Sequence, residues 1–506
     1  MMPERIPLSA LDAAFLLAET RNTPLHVAGL QIFRIPPGAP AHFVSKLFGK
    51  LRSFPVVTAP LNYRLRGGLA GKLLPSWEVI DDADLEYHLR HLALPYPGGE
   101  RELGVLVSRL HSNPMDLSRP LWEFHLIEGL AGNRFAIYCK LHHALMDGVN
   151  SMKLLNLSND RAKSFLPPFW SAKTGQDLER RSRSGGVPEG WPAVIEKEIE
   201  ALPSLLRGLS TTALAALGLG DDRDLVSIAE APRTLFNVRV GEQRRVATHS
   251  ASLARIEAIG RAAGGTINDV VLAACSGALR RYLDERGALP DESLIAAVPM
   301  ALHHGDGATS GNAVTSLNTR LGSNIADVRK RFEVIRRTSA AGKTHLKQMT
   351  ETAALHYTMI VSAPVLLAWL PGLSALVRPV TNLIVSNIPG PRDTLYFHGA
   401  EMVAYYPVSQ VGHGMALNIT VLSYAGQLSF GLVACRDSVP SVQRLALYIG
   451  EALDELEATF LPKPGKASAA ASHAREKRPP RRKETGTRKA RARRPTGRAN
   501  ESTRQR

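Results

Sequence analysis

The chain has 506 residues, 44% of them hydrophobic and 21% charged, which is more than one hydrophobic core usually serves and excludes a wholly disordered protein. Three cysteines, Cys139, Cys275 and Cys435, without a Cys-x-x-Cys pair, argue against a disulfide scaffold or a thiolate zinc site and point to a cytosolic compartment. The formal charge is +16, and the segment from Lys463 to Arg506, with sixteen Lys/Arg against three Asp/Glu, carries +13 of it, leaving +3 for the first 462 residues.

The first residues lack the basic start, long apolar run and small-residue cleavage site of a secretory signal. Ser9 with Asp12 three positions on predicts a helix cap instead. Residues 25–35 read as a strand, and 41–54 and 101–112 as amphipathic helices. Residues 120–127 predict a strand with Trp122, Phe124 and Leu126 on one face, turning through Gly129, Gly132 and Asn133 into a second strand over 134–143. Residues 158–231, rich in Pro, Gly, Ser and charge, read as a linker with an apolar helix near 202–217. The pattern then restarts. Helices are expected over 253–263 and 267–286, strands over 293–302, 312–321, 383–388, 402–411, 415–424 and 427–435, and a closing helix over 442–460. Residues 358–377 are twenty uncharged positions, the length of a membrane span, but Pro364 and Pro371 each break a helix bond. The reading is two short apolar helices that line a lipid channel, lie on a membrane surface or belong to the core. The basic tail has no apolar periodicity, so it reads as disordered, either simply solvated or drawn to a polyanion such as anionic lipid or nucleic acid. The organisation expected is an N-terminal domain over 1–160, a linker over 161–231, a C-terminal domain over 232–461 and a tail over 462–506.

Several catalytic signatures are absent: the Gly-x-Ser-x-Gly elbow, Gly-x-Gly-x-x-Gly, a phosphate loop and His-Glu-x-x-His. What stands out is Lys140-Leu-His142-His143-Ala-Leu-Met-Asp147-Gly148. Strand alternation puts Phe135, Ile137, Cys139, Leu141 and His143 on one face, and Ala136, Tyr138, Lys140 and His142 on the other. His143 would leave the strand on its apolar side, partly desolvated and able to accept a proton. Asp147 falls across a turn that Gly148 relaxes. A base on a rigid strand beside a fixing carboxylate is a workable general-base arrangement. The alternative is that both histidines are hydrogen-bonded core or surface groups and Asp147 a turn residue. Adjacent strand residues point to opposite faces and no third ligand follows at metal spacing, so no metal site is expected.

The run His142-His143-x-x-x-Asp147-Gly148 matches the signature of the coenzyme-A-dependent acyltransferase superfamily, which includes chloramphenicol acetyltransferases and peptide-synthetase condensation domains. From Pro7 to about Phe460 the chain resembles the bacterial wax ester synthase/diacylglycerol acyltransferase family. The resemblance is carried also by Pro120-Leu121-Trp122, Asn268-Asp269, Gly311-Asn312 and Ser386-Asn387-Ile388-Pro389-Gly390-Pro391. It implies an α/β fold of two chloramphenicol-acetyltransferase-like domains, each a mixed sheet with flanking helices, with an active-site channel between them. It implies transfer of a long-chain acyl group from acyl-CoA to diacylglycerol or a fatty alcohol, with His143 as proton acceptor, Asp147 holding the loop, and no covalent intermediate. No prosthetic group is needed, acyl-CoA being a co-substrate. Enzyme and product would meet at a membrane or lipid-droplet surface, bound peripherally. Other readings are acyl transfer to a different acceptor, as in condensation-type relatives, or a non-catalytic lipid- or polyanion-binding protein.

The remaining motifs have plainer alternatives. Capping after Thr266 explains Asp269, whereas the Asn268 amide is a candidate oxyanion contact. Pro120, Leu121 and Trp122 are either core or acyl-pocket lining. Ser386, Asn387, Pro389 and Gly390 form a rigid strand exit that the resemblance places near the substrate. After Val298-Pro299 the chain reads Met300-Ala301-Leu302-His303-His304, where relatives show a Ser-x-Arg element.

Overall fold

The computed structural model describes residues 5–8, 10–66, 75–146, 148–156, 159, 166–171, 202–212, 214, 223–227, 230–301, 314–369 and 378–461. Among the described residues, fifteen strands run in chain order: β1 (Arg5–Pro7), β2 (His26–Arg34), β3 (Tyr63–Leu65), β4 (Ser76–Val79), β5 (Leu89–Ala93), β6 (Trp122–Leu130), β7 (Arg134–His142), β8 (Arg244–Ser252), β9 (Ile295–Ala301), β10 (Val314–Arg320), β11 (Leu383–Ile388), β12 (Tyr396–Phe397), β13 (Ala400–Val408), β14 (Leu417–Tyr424) and β15 (Gln427–Cys435). They form two mixed six-stranded sheets, ordered β12-β13-β2-β7-β6-β5 and β10-β9-β11-β14-β15-β8, and a small sheet β1-β4-β3.

The hairpin β6–β7 turns where Gly132 and Asn133 adopt positive φ and pairs antiparallel from Trp122↔Leu141 to Leu130↔Arg134. Alternation holds on both faces. Trp122, Phe124 and Leu126 share one apolar cluster with Phe135, Ile137, Cys139 and Leu141. Ala136 and Tyr138 pack on the other side with Leu103 and Val107 of the helix Glu100–Ser112.

The sheets do not follow the sequence boundary between the halves. β13 comes late in the chain, yet it pairs with β2 from Glu401↔Arg34 to Val408↔Ala28, so part of the expected second domain belongs to the first sheet. Met402 and Tyr405 fill the N-terminal core, and β13 covers what would otherwise be an open edge of β2. Where β13 crosses β15, a Cβ on Gly431 would run into the Pro407 carbonyl, so only glycine fits.

A second tie joins the halves. β8 is an edge strand of the second sheet, and its Arg244 and Val246 N–H groups donate to Ser112 Oγ (2.8 Å) and Ser108 Oγ (2.9 Å) of the helix Glu100–Ser112. Arg244 itself is buried and donates to the carbonyls of Gly241 (2.7 Å) and Asn22.

Behind the second sheet, the helices Leu253–Ala263, Ile267–Asp284, Val328–Lys347 and Val442–Phe460 bury one large apolar core. The helix Ile267–Asp284 starts with a reciprocal cap, in which Thr266 N donates to Asp269 Oδ2 (2.8 Å) and Asp269 N to Thr266 Oγ1 (3.3 Å). The helix Glu351–Trp369 runs through Pro364 rather than breaking there, and the rest of the stretch, 370–377 with Pro371, lies outside the described residues. Among the described residues no single helix is long and apolar enough to cross a membrane. The pair Leu253–Ala263 and Ile267–Asp284 passes only together, bent by 97°, and lies in the core. The cap at Ser9, His303-His304, Gly311-Asn312 and the tail lie outside the described residues.

Candidate active site

β7 ends at His142, and His143 is the first residue of the turn after it. The two histidines part there. His142 is fully buried: its backbone N–H donates to Leu121 O (3.0 Å), and its ring is held from both sides. Ala144 N–H donates to His142 Nδ1 (3.0 Å), so Nδ1 carries a lone pair. Nε2 therefore bears the hydrogen and donates to Glu19 Oε2 (3.3 Å). This ring is neutral and both its nitrogens are engaged.

His143 is half-buried. Its ring packs on Phe15, centroids 4.4 Å apart and planes tilted 32°, and its backbone N–H donates to Leu25 O (2.9 Å). Leu25 N–H in turn donates to Glu19 Oε1 (3.1 Å). One buried carboxylate thus holds the His142 ring with one oxygen and the segment that pins His143 with the other. Phe15 and Ile384 of β11 pack together on Leu25 and Met415, so His143 stands where the two halves meet. Asp147 lies outside the described residues, and Gly148 opens the helix Gly148–Asn156.

Pro120, Leu121 and Trp122 are buried. Trp122 Nε1 donates to Leu61 O (2.8 Å), and its ring stacks on His88 (4.4 Å) and Trp170 (5.9 Å). These side chains present no surface to an acyl chain, contrary to the lining expectation. What the motif does for the site is supply the Leu121 carbonyl that holds His142.

Asn268 is a second correction. Its helix packs with Leu417, Ile419 and Val421 of β14 and Val385 of β11. The opposite faces of those strands carry Leu422 and Ile388, which pack into the N-terminal core, and Ile384, which packs beside Phe15. The helix that carries Asn268 therefore packs on the face of the sheet opposite Ile384 and Ile388, which argues against the oxyanion contact. The same alternation puts Ser386 on the near face, between Ile384 and Ile388, and Asn387 with Val385 on the far one. Pro389 is exposed, and Gly390 N–H donates to Ser423 Oγ (3.1 Å) at a spot where a Cβ would strike the Ser423 carbonyl.

The sequence matches the family model for the wax ester synthase/diacylglycerol acyltransferase catalytic domain over residues 8–271, and the model for the C-terminal domain of the same family over 310–457. The chain belongs to the wax ester synthase/diacylglycerol acyltransferase family. A putative diacylglycerol O-acyltransferase of Mycobacterium tuberculosis is 42% identical over 453 residues, covering 89% of this chain and 99% of that protein. The O-acyltransferase WSD of Acinetobacter baylyi is 38% identical over 454 residues, covering 89% and 97%. The solved wax ester synthase/diacylglycerol acyltransferase of Marinobacter aquaeolei VT8 superposes with a TM-score of 0.72 at 35% identity, covering 90% of this chain and 99% of that one. A condensation domain of the calcium-dependent antibiotic synthetase shares the fold, with a TM-score of 0.54 at 18% identity. The protein is an O-acyltransferase of two mixed α/β layers.

Beneath His142 and His143 lies a buried polar layer that sequence reasoning missed. His26 Nε2 donates to His111 O (3.0 Å). His111 Nε2 donates to Ser409 O (2.8 Å) across the halves, and its Nδ1 accepts from Tyr138 OH (2.9 Å). Burial pushes the His111 imidazole down to about 3 and outweighs its bond to Ser409. His125 Nε2 donates to Glu123 Oε2 (3.0 Å), and Lys140 Nζ donates to the same oxygen at 3.2 Å. Burial alone would raise the Glu123 carboxyl, but the His125 bond and the Lys140 charge overcome it and pull it to about 2. Glu19 lies 123 positions from His142, so no local spacing announces it. Among the described residues no group of three His, Cys, Asp or Glu could hold a metal.

Proposed function

We propose that the enzyme moves a long-chain acyl group from acyl-CoA to diacylglycerol or a long-chain alcohol, with His143 as general base. A neutral His143 imidazole takes the proton of the acceptor hydroxyl as its oxygen attacks the thioester carbonyl. The C–S bond then breaks, and the CoA thiolate receives that proton, leaving an ester and free CoA. The observation that carries this reading is the division of labour at the end of β7. His142 is fully buried with its ring between Glu19 and Ala144, and His143 is the member of the pair that reaches the junction of the halves, its ring half-buried on Phe15. Asp147 would hold the turn, and the chemistry requires neither a metal nor a prosthetic group. Base catalysis of this kind contributes about 10²- to 10⁴-fold, and positioning supplies the remainder.

Thiol release from palmitoyl-CoA with hexadecanol, diacylglycerol or an amine, on wild type and His143→Ala, tests the reading. Turnover with the alcohol or glyceride, reduced about 10²-fold or more in the variant, supports it. Retained turnover in the variant removes His143 as the base, and turnover with the amine alone favours a condensation-type reaction.

The cytoplasmic face of a membrane or a lipid droplet is the proposed working place. Leu202 and Leu206 on the helical segment 202–212, and Met359 and Ile360 on the helix Glu351–Trp369, are exposed. The two segments are joined by Thr212 Oγ1 and Tyr357 OH at 2.8 Å. Exposed apolar groups of this kind suit an interface rather than a span, and the basic tail would add attraction to anionic lipid. Co-sedimentation with anionic vesicles is expected for the full chain, weaker for a chain ending at Pro462. No sedimentation of either would remove the proposal.

A further inference from the structure

Residues 19–25, which hold both histidines, form one tight loop. Thr20 and Thr23 bridge it: Thr23 N–H donates to Thr20 O (3.0 Å) and their hydroxyls lie 2.7 Å apart, which leaves Arg21 and Asn22 at the tip. Glu19 Oε1 accepts from Leu25 N–H (3.1 Å), so a side chain closes the base of the loop. The two ends then set the site. Glu19 Oε2 accepts from His142 Nε2 at 3.3 Å, and Leu25 O accepts from the His143 backbone N–H at 2.9 Å. The tip is gripped from the other half of the chain, by residues 241–244 at the start of β8. Nη2 of the buried Arg244 donates to Asn22 O, and its Nη1 donates to Gly241 O at 2.7 Å. On the outside, Arg21 Nε meets Glu242 Oε1 at 3.0 Å between two exposed side chains, a contact worth little. The guanidinium is a rigid planar fork, so bonding two carbonyls on separate segments fixes the tip against β8. These acceptors are neutral, and a cation buried against them is a poor source of stability. What it holds matters more.

We propose that Arg244 is a positioning residue for acyl transfer: from the second half of the chain its guanidinium pins the tip of the loop 19–25, and the two ends of that loop set the angle of the His142 ring and the place of His143. Every link is a hydrogen bond, from Arg244 to Asn22, along the bridged loop, and from Glu19 and Leu25 to the two histidines. The inference rests on His143 being the base. Retained turnover in His143→Ala removes that reading by itself, whereas unmoved kcat in the Arg244 variants removes only this one.

The test compares Arg244→Met, Ser112→Ala, Glu19→Ala and the double variant Arg244→Met/Glu19→Ala as full chains, by thermal midpoint and by kcat and KM with palmitoyl-CoA and the acceptor best used by the wild type. Arg244→Met removes the fork, and kcat is expected to fall about 10- to 100-fold with KM nearly unchanged. Ser112→Ala takes the acceptor from the Arg244 backbone N–H, so it loosens the halves at the same residue but leaves the guanidinium on Asn22. Its midpoint is expected to fall while kcat stays within about twofold. In the double variant, kcat is expected to lie within about threefold of Glu19→Ala alone, because without that carboxylate the loop no longer reaches the His142 ring. The proposal is overturned by kcat within about twofold of wild type in Arg244→Met, by an equal loss in Ser112→Ala, or by losses that multiply in the double variant. If Arg244→Met does not fold, Arg244→Lys decides: it keeps the cation but not the fork, so kcat is expected about 3- to 10-fold low, and full kcat overturns the proposal.

Discussion

Behind the second sheet, the four helices bury Val270, Val271, Leu272, Leu279, Ile335, Ile419, Val421, Leu445 and their neighbours. The polar groups in that layer are largely hydroxyls, such as Ser276, which donates to Leu321 O (2.6 Å), and Thr319, bonded to Thr338 (2.7 Å). Between the first sheet and the helix Glu100–Ser112 the interior is of another kind, with His26, His111, Glu123, His125, Lys140 and His142 all buried. An apolar layer holds its shape by contact from all sides, and any one member is supported by many. A hydrogen-bonded layer is directional, and each group fixes the orientation of the next. His143, the proposed base, stands at the end of the directional layer, where angular placement would matter most.

Three measurements separate the two layers. The largest effect is expected from Leu279→Ala in the apolar core, which should lower stability by about 2–5 kcal/mol in chemical denaturation while kcat stays within about twofold. A large drop in kcat of the folded variant would show that the core, too, sets the angle of the site. Glu19→Ala should do the opposite. It leaves the His142 Nε2–H and the Leu25 N–H without acceptors, at a cost of about 1–3 kcal/mol, and kcat should fall about 10- to 100-fold. Steady-state kinetics would refute this if only the thermal midpoint moved.

The smallest effect is in the pH dependence. The His111 and His88 imidazoles are pushed down, to about 3 and about 4, from an ordinary 6.5, in both cases by burial first. Above pH 6.5 both groups are neutral folded or unfolded. Below it the unfolded chain takes up protons that the folded one refuses, so stability is lost as the pH falls from 6.5 toward 4 and then 3. Each group contributes a slope of at most about 1.4 kcal/mol per pH unit. Denaturation at pH 4 to 6 should show this slope flattened in His111→Gln, whereas Leu279→Ala should shift the curve in parallel. An equal slope in His111→Gln would assign the acid sensitivity elsewhere.

Local patterns carried much of this architecture. The helices Leu253–Ala263 and Val442–Phe460 and the strands Leu383–Ile388 and Gln427–Cys435 lie where their periodicity puts them, because burial on one face is written in neighbouring residues. Strand membership is not local. Most of the strand expected over 402–411 lies in β13, which runs over Ala400–Val408, but nothing in those residues says that their partner is β2, more than three hundred and fifty positions earlier. Pro364 was read as a break, yet the helix runs through it from Glu351, since neighbouring turns can tolerate one lost bond. At the site, alternation and the His-His-x-x-x-Asp-Gly run point to His143, the base proposed above. Glu19 was invisible because it acts only after the chain has closed a loop of more than a hundred residues. Trp122 was left between core and acyl pocket, and Asn268 was offered as an oxyanion contact, because the face of a residue can be told from its neighbours but not what packs against that face.

The loan of β13 to the first sheet limits how this enzyme can be taken apart. A fragment ending before Tyr396 would leave β2 with a bare row of donors and acceptors, ready to recruit a strand from another molecule. Chimeras that trade acceptor preference between relatives should therefore carry Ala400–Val408 along with the N-terminal sheet that hosts it, whatever the linear order of the gene suggests.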